Sequence, residues 1–203
     1  MSLLSLSTST LLDRFASSDP TPGGGSAAAL AGALAASLVE MVAGLPKTRT
    51  GTPEEREKLD AAKASAAKAG ARLRELVDLD TAAYNAVTAA YRLPKASDDE
   101  KALRAAAIAA AMRQATDVPL ETCERSAEVL RAAAQALAHG NGNAASDVRT
   151  AIALCRAALD AGAENVKVNV SSPSIAAQSP LLLARLEAIR APLESMLANP
   201  SRK

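Results

Sequence analysis

The sequence predicts an all-α protein, a largely up-and-down bundle of long alanine-rich helices, with residues 1–203 forming a single domain. Three observations lead there. Fifty of the 203 residues are alanine, the residue that loses least on entering a helix. Apolar residues recur at helical spacing, and strand-like alternation shows only briefly, at VKVNV (166–170). Clusters of helix breakers are few and far apart, so the segments between them are long.

A first helix is expected near residues 5–16. PTPGGG (20–25) then breaks the chain, and the segment from Ser26 to Gly44 reads as a buried helix with Ser26 as its N-cap. On that helix Leu30, Leu34 and Leu38 form one i, i+4 row. Ala28, Gly32 and Ala36 form a second row on another face, suited to close helix contact. KTRTGTP (47–53) is a loop, and a long amphipathic stretch follows from Glu54 to about Arg92. LPKAS (93–97) ends it, because Pro94 has no amide hydrogen and restricts Leu93. Helical character resumes at Asp98 and runs to about His139, with an interruption or kink expected at Pro119. GNGN (140–143) is a stop signal. Another helix is expected from about Ala144 to Val170, weakest at Gly162. SSPS (171–174) opens a last helix that should end near Asn199.

Composition excludes several functions. Lys plus Arg is 23 and Asp plus Glu is 22, so a net charge of +1 offers no global field for nucleic acid. Phe15, Tyr84 and Tyr91 are the only aromatics, too few for a base-stacking surface. No nucleic-acid partner is expected. His139 is the sole histidine and has no second soft ligand at a useful spacing, so no metal site is expected. Cys123 and Cys155 lie far apart without a CxxC. Together with the absence of a leader pattern, this reads as reduced thiols in a cytoplasmic protein. The apolar stretch 20–39 is rich in Gly, Ala, Ser and Pro and is closed by Glu40, which suits a buried helix better than a membrane span.

Chemistry concentrates around Gly23, Gly24 and Gly25. Glycine folds tightly and lets a ligand touch the backbone, and the first amides of the following helix point back at the loop. A flat ligand with anionic or carbonyl oxygens fits there. By itself the triplet also fits a plain connection that caps a buried helix. The longer string PTPGGGSAAALAGALAASLVEMV (20–42) strongly resembles the N-terminal signature of the folate cyclodeaminase and methenyltetrahydrofolate cyclohydrolase family. That family includes the deaminase half of formiminotransferase-cyclodeaminase. The resemblance continues in order through LVDLDTAAYNAV (76–87), YRLPK (91–95), ATDVPLETC (115–123), HGNGNAASDV (139–148) and AENVKVNV (163–170). It covers roughly residues 10–195. Tyr84 stands where the family usually has Phe, which keeps an aromatic ring.

The resemblance implies a tetrahydrofolate derivative as substrate, with no tightly bound cofactor and no metal. A cyclodeaminase closes formiminotetrahydrofolate to the methenyl form and releases ammonia, whereas a cyclohydrolase opens the methenyl form with water. Both reactions pass through a tetrahedral carbon between N5 and N10 and need proton transfers that carboxylates supply. The motifs select Asp80 and Asp147 as catalytic. On spacing alone, Asp78 and Asp80 fit solvated helix charges, and Asp147 fits a first-turn acid favoured by the helix dipole. Asp80, Tyr84 and Tyr91 share one helix face, and Asp78 is expected behind the site. Gly23, Gly24, Gly25, Ser26 and Tyr84 are the expected substrate contacts, together with Asn165 and Asn169, whose four-residue spacing aims both amides to one side. Lys95 is placed to meet the anionic glutamate tail, with Lys47 and Arg49 as weaker counterparts. Glu121 and Glu124 read as surface charges, and Cys123 as buried packing.

With few large side chains per helix, part of the missing apolar burial should come from a second copy. The family forms helical dimers, so a two-fold homodimer with the glycine loop near the interface is expected. The contrasting reading is a catalytically inactive helical interaction or scaffold module of the same fold. Intact Gly23–Ser26, Asp80 and Asp147 argue against it, and folate binding discriminates the two.

Overall fold

The computed structural model describes residues 2–193. Its helices are α1 (Thr8–Ala16), α2 (Gly24–Ala43), α3 (Pro53–Tyr91), α4 (Asp98–His139), α5 (Ala145–Val170) and α6 (Ser179–Arg190). Among the described residues no strand forms, and VKVNV is the end of α5.

Local side-chain caps mark three of the six helix starts. Ser7 caps α1 by accepting from the Thr10 amide. Thr52 caps α3 by accepting from the Glu55 amide, with Pro53 in the first turn. Ser97 and Glu100 form a reciprocal capping box at the start of α4. The start of α2 differs from expectation. Gly23 is the N-cap without a side-chain bond, and Ser26 is the third helical residue rather than the cap.

Helices α2 to α5 run antiparallel in sequence order. Ser26 meets Asp80 on α3, while Gly44, just past the other end of α2, lies beside Lys63. Arg72 on α3 pairs with Glu121 on α4, and the Arg104 guanidinium of α4 reaches back to the Tyr91 carbonyl. Asn169 near the end of α5 bonds Ala115 on α4. Helix α6 lies across α4 and α5 through Arg185–Glu124 and Arg190–Asp160 pairs. The N-terminal turn docks on α3, where the Leu3 amide donates to Asp78.

Small side chains let the four long helices close up. A Cβ built on Gly32 would lie 2.9 Å from Ser126 Oγ and 3.1 Å from a Leu73 methyl. One on Gly70 would lie 2.8 Å from the Ala36 Cβ. The Ala28–Gly32–Ala36 row therefore faces the inside of its own bundle. The leucine row lies at the surface: Leu34 is 53% exposed and Met41 43%, while Leu30 and Leu38 are half-buried and pack partly against the core. By length and composition alone α2 is apolar enough to cross a membrane; in the bundle its small-residue face is covered by α3, α4 and α5.

Two expected weak points are continuous helix. Helix α4 passes through Pro119 unbroken, and Gly162 is a close contact in α5, where a Cβ would lie 2.7 Å from Cys123 Sγ. The last expected helix is divided. Pro173–Ile175 forms a 3-10 turn before α6, and Ala191–Leu193 forms another after it. The expected end near Asn199 lies outside the described residues.

Because Gly32 touches Leu73 and Ser126 within one chain, Gly32→Leu should overpack the bundle itself. A loss of about 1–3 kcal/mol or more is expected, read as a lower urea midpoint at unchanged slope.

Candidate active site

At one end of the bundle a cavity of about 300 Å³ opens between the start of α2, the second half of α3, the middle of α4 and the end of α5. Its lining brings together Gly23, Gly24, Gly25, Asp80, Tyr84, Asn165 and Asn169 from separate stretches of sequence.

Asp80 is bound to the start of α2. Its Oδ2 accepts from the Ser26 amide at 2.8 Å and lies 3.0 Å from the Ser26 hydroxyl. That hydroxyl also lies 2.9 Å from the Val77 carbonyl, so its single proton serves one acceptor at a time. An amide near the start of a helix has no partner within its own helix, and here α3 supplies one. Gly25 is what permits the approach. A Cβ there would overlap Asp80 Oδ1 and lie 2.6 Å from the carboxyl carbon, which no real side chain could hold. Burial pushes the Asp80 carboxyl above the ordinary aspartate value, and the two Ser26 hydrogen bonds pull it part of the way back. The result is a carboxylate held at one oxygen, partly desolvated and able to hold a proton in a cavity.

Gly24 plays a different part. A Cβ on it would meet nothing closer than Asn165 Nδ2 at 3.8 Å, so this glycine is open to the cavity. Asn165 donates its side-chain amide to the Ala161 carbonyl at 2.9 Å, and Asn169 donates to the Ala115 carbonyl at 2.7 Å. Tyr84 is 45% exposed and forms part of the rim.

Other expected residues lie elsewhere. Asp147 sits in the first turn of α5, eighteen residues before Asn165, about 27 Å along the helix at 1.5 Å per residue. A single chain does not bring it to Asp80, because α5 spans the whole bundle. Lys95 and Tyr91 line a separate cavity of about 540 Å³ with Lys101, Arg104 and Ser172, further along the same α3–α4 groove. Arg49 is committed to the Leu137 carbonyl at the far end of the bundle, and Asp78 to the Leu3 amide. Glu121 and Glu124 are ion-paired with Arg72 and Arg185. The Cys123 thiol is buried and pushed up to about 12, which leaves it packing rather than reactive.

Val87, Met112 and Ala115 complete the cavity, as do Pro20 and Thr21. Val87 was legible as one more turn on the Asp80–Tyr84 stripe. Met112 and Ala115 had no signal, since only packing of α4 against α3 brings them in.

This architecture and cavity define a class: a helical-bundle protein with a cavity lined by a glycine-rich helix start and a partly desolvated carboxylate. The chain belongs to the formiminotransferase-cyclodeaminase family, whose sequence profile matches residues 7–178. A methenyltetrahydrofolate cyclohydrolase of Methylorubrum extorquens is 42% identical over 160 residues, 79% of this chain and 77% of that protein. The formimidoyltransferase-cyclodeaminase of Mus musculus is 35% identical over 73% of this chain, which spans 28% of the mouse protein. The crystal structure of a formiminotetrahydrofolate cyclodeaminase from Thermotoga maritima superposes with a TM-score of 0.74 at 25% identity, covering 97% of this chain and 98% of that one.

The two neighbouring glycines separate experimentally. Gly24→Val should reduce ligand affinity far more than thermal stability, because its side chain projects into the cavity. Gly25→Ala should lower the melting midpoint as well, by driving Asp80 off Ser26. Normal binding by folded Gly24→Val would reduce the loop to a connector.

Proposed function

We propose that this protein is a folate one-carbon enzyme acting as a methenyltetrahydrofolate cyclohydrolase. The observation that carries the reading is the Gly25–Ser26–Asp80 junction: a desolvated carboxylate facing a cavity at the start of α2. Favouring hydrolysis over deamination is the cyclohydrolase relative, matched over most of its length.

In this reading the reduced pterin lies against Gly23–Gly25, Asn165 and Asn169, with its cationic N5–C–N10 bridge beside Asp80. The negative charge favours the cation. Water adds to the bridging carbon as Asp80 takes one of its protons. The C–N5 bond then breaks, Asp80 returns that proton to N5, and the remaining hydroxyl proton leaves to solvent as the N10-formyl carbonyl forms. Water and folate balance the reaction. The p-aminobenzoyl ring follows Tyr84, Val87 and Met112. Tyr91 is eleven residues beyond Asp80, about 16 Å along α3. There Lys95, Lys101 and Arg104 meet the glutamate carboxylates. The second reading, ring closure of formiminotetrahydrofolate with loss of ammonia, draws support from the Thermotoga fold match and uses the same carboxylate. Assay of both substrates decides between them, through the methenyl chromophore and ammonia release.

Asp80→Asn tests the carboxylate. It keeps an acceptor for Ser26 but cannot exchange the proton, so turnover should fall by roughly 10²–10⁴-fold. The pKa of Asp80 is raised by folding, so ionising it in the native state costs stability as pH rises through that elevated value, and the cost is absent in acid. The variant should therefore melt no lower than wild type at neutral pH, with any advantage vanishing as pH falls. Near-normal turnover would return Asp80 to a purely capping role.

We also propose a two-fold homodimer built on the surface row Leu30, Leu34, Leu38 and Met41 of α2. Antiparallel packing of two copies of α2 about Leu34 sets the far end of the partner bundle against the glycine loop. That far end carries the start of the partner's α5, and with it a second copy of the first-turn aspartate, so a catalytic part for Asp147 belongs to the dimer. Leu34→Asp should produce a folded monomer with little activity, seen by sedimentation at micromolar concentration. A fully active Leu34→Asp monomer would rule out both the interface and the shared site.

A further inference from the structure

Pro119 lies in the middle of α4 and takes no part in the chemistry above. Proline has no amide hydrogen, so the carbonyl four residues earlier, that of Ala115, loses its donor within the helix. A partly buried carbonyl gains from a partner, and this one finds it on another helix: Asn169 of α5 donates Nδ2–H to the Ala115 oxygen at 2.7 Å. Gly162 makes the approach possible. It lies two turns before Asn169, and a Cβ on it would be 3.2 Å from the Pro119 carbonyl oxygen and 2.7 Å from Cys123 Sγ. Ala115 and Asn169 both line the cavity that holds Asp80.

The bond fixes which way the Asn169 amide faces. Reversing it would set two oxygens against each other at hydrogen-bond distance, which is repulsive. With the nitrogen held by α4, Asn169 Oδ1 has no protein partner among the described residues. Asn165 differs, since its amide bonds only the carbonyl one turn back in its own helix.

We propose that Pro119 is a positioning residue for the substrate site. By freeing the Ala115 carbonyl it locks Asn169, and the locked Oδ1 accepts from an N–H donor of the ligand. The geometry stands by itself; naming that donor as the N–H and amino edge of a reduced pterin rests on the folate reading above. A helix proline placed for this purpose explains why α4 continues through it: the missing bond is replaced by a tertiary one.

The test restores the missing donor. Pro119→Ala returns an amide to the Ala115 carbonyl in competition with Asn169. The expected result is unchanged helix content, with KM for methenyltetrahydrofolate raised about five- to tenfold, the worth of one neutral hydrogen bond, and kcat little altered. Asn169→Ala should give the same rise, and adding Pro119→Ala to it should add nothing. An unchanged KM in Pro119→Ala, or rises that multiply in the double variant, would overturn the proposal. If Pro119→Ala does not fold, Asn169→Asp carries the test. That substitution removes the N–H that holds the Ala115 carbonyl and should raise KM at least as much, whereas a normal KM would overturn the proposal. A readout independent of substrate is the side-chain amide resonance of Asn169 in ¹⁵N-labelled protein. It should be distinct and slow to exchange in the wild type, and averaged with solvent in Pro119→Ala. Its persistence in Pro119→Ala would refute the positioning role whatever the ligand is, while failure of the wild type to bind folate would count against the folate reading alone.

Discussion

The contact between Asp80 and the first turn of α2 is the constraint on which the site depends. A helix start leaves amides without partners, and α2 has no side-chain cap of its own. A carboxylate on α3 supplies the acceptor for Ser26. The same contact fixes the register of α2 on α3 and draws Asp80 out of water. It also requires glycine at position 25. Structure and chemistry are joined here: the group that caps the helix is also the cavity carboxyl whose pKa burial raises.

The rest of the bundle follows from small side chains. Alanine and glycine on the inner face of α2 allow it to touch α3, α5 and α4 at once. Close approach replaces bulk as the source of cohesion, since many short contacts add up when no void separates them. One consequence is sensitivity: at Gly32, Gly70 and Gly162 even a single methyl has a neighbour within 3 Å. Another is that the larger residues of α2 have no room inside. Leu34 and Met41 therefore remain on the surface, an apolar stripe suited to a second copy.

Polar groups that look incidental in the sequence are committed in ways that shape the cavity. Both asparagines give their amide hydrogens to carbonyls, one within its helix and one across to α4. The cavity is thereby lined with acceptors from α3 and α5, while the glycine loop offers backbone amides. Cations lie further along the α3–α4 groove, at Lys95, Lys101 and Arg104. A long ligand with a donor-rich head and an anionic tail matches that distribution.

The sequence by itself determined the helix class and most helix limits, and it singled out the glycine loop, Asp80, Tyr84, Asn165 and Asn169, which line one cavity. Alanine content, spaced breakers and local caps are short-range properties, readable within a few residues, and the motifs carried the site. Only the tertiary structure decided which face of α2 turns inward. Both rows are apolar, and the choice rests on Leu73, Ser126 and Gly70 fitting against one of them. It likewise decided that Ser26 answers to Asp80 instead of capping its own helix, and that α4 runs through Pro119 without interruption. Asp147 and Asp80 look alike on paper as motif aspartates, yet the length of α5 holds them at opposite ends of a chain. Distances of that kind arise from how helices pack, and no local pattern of residues records them.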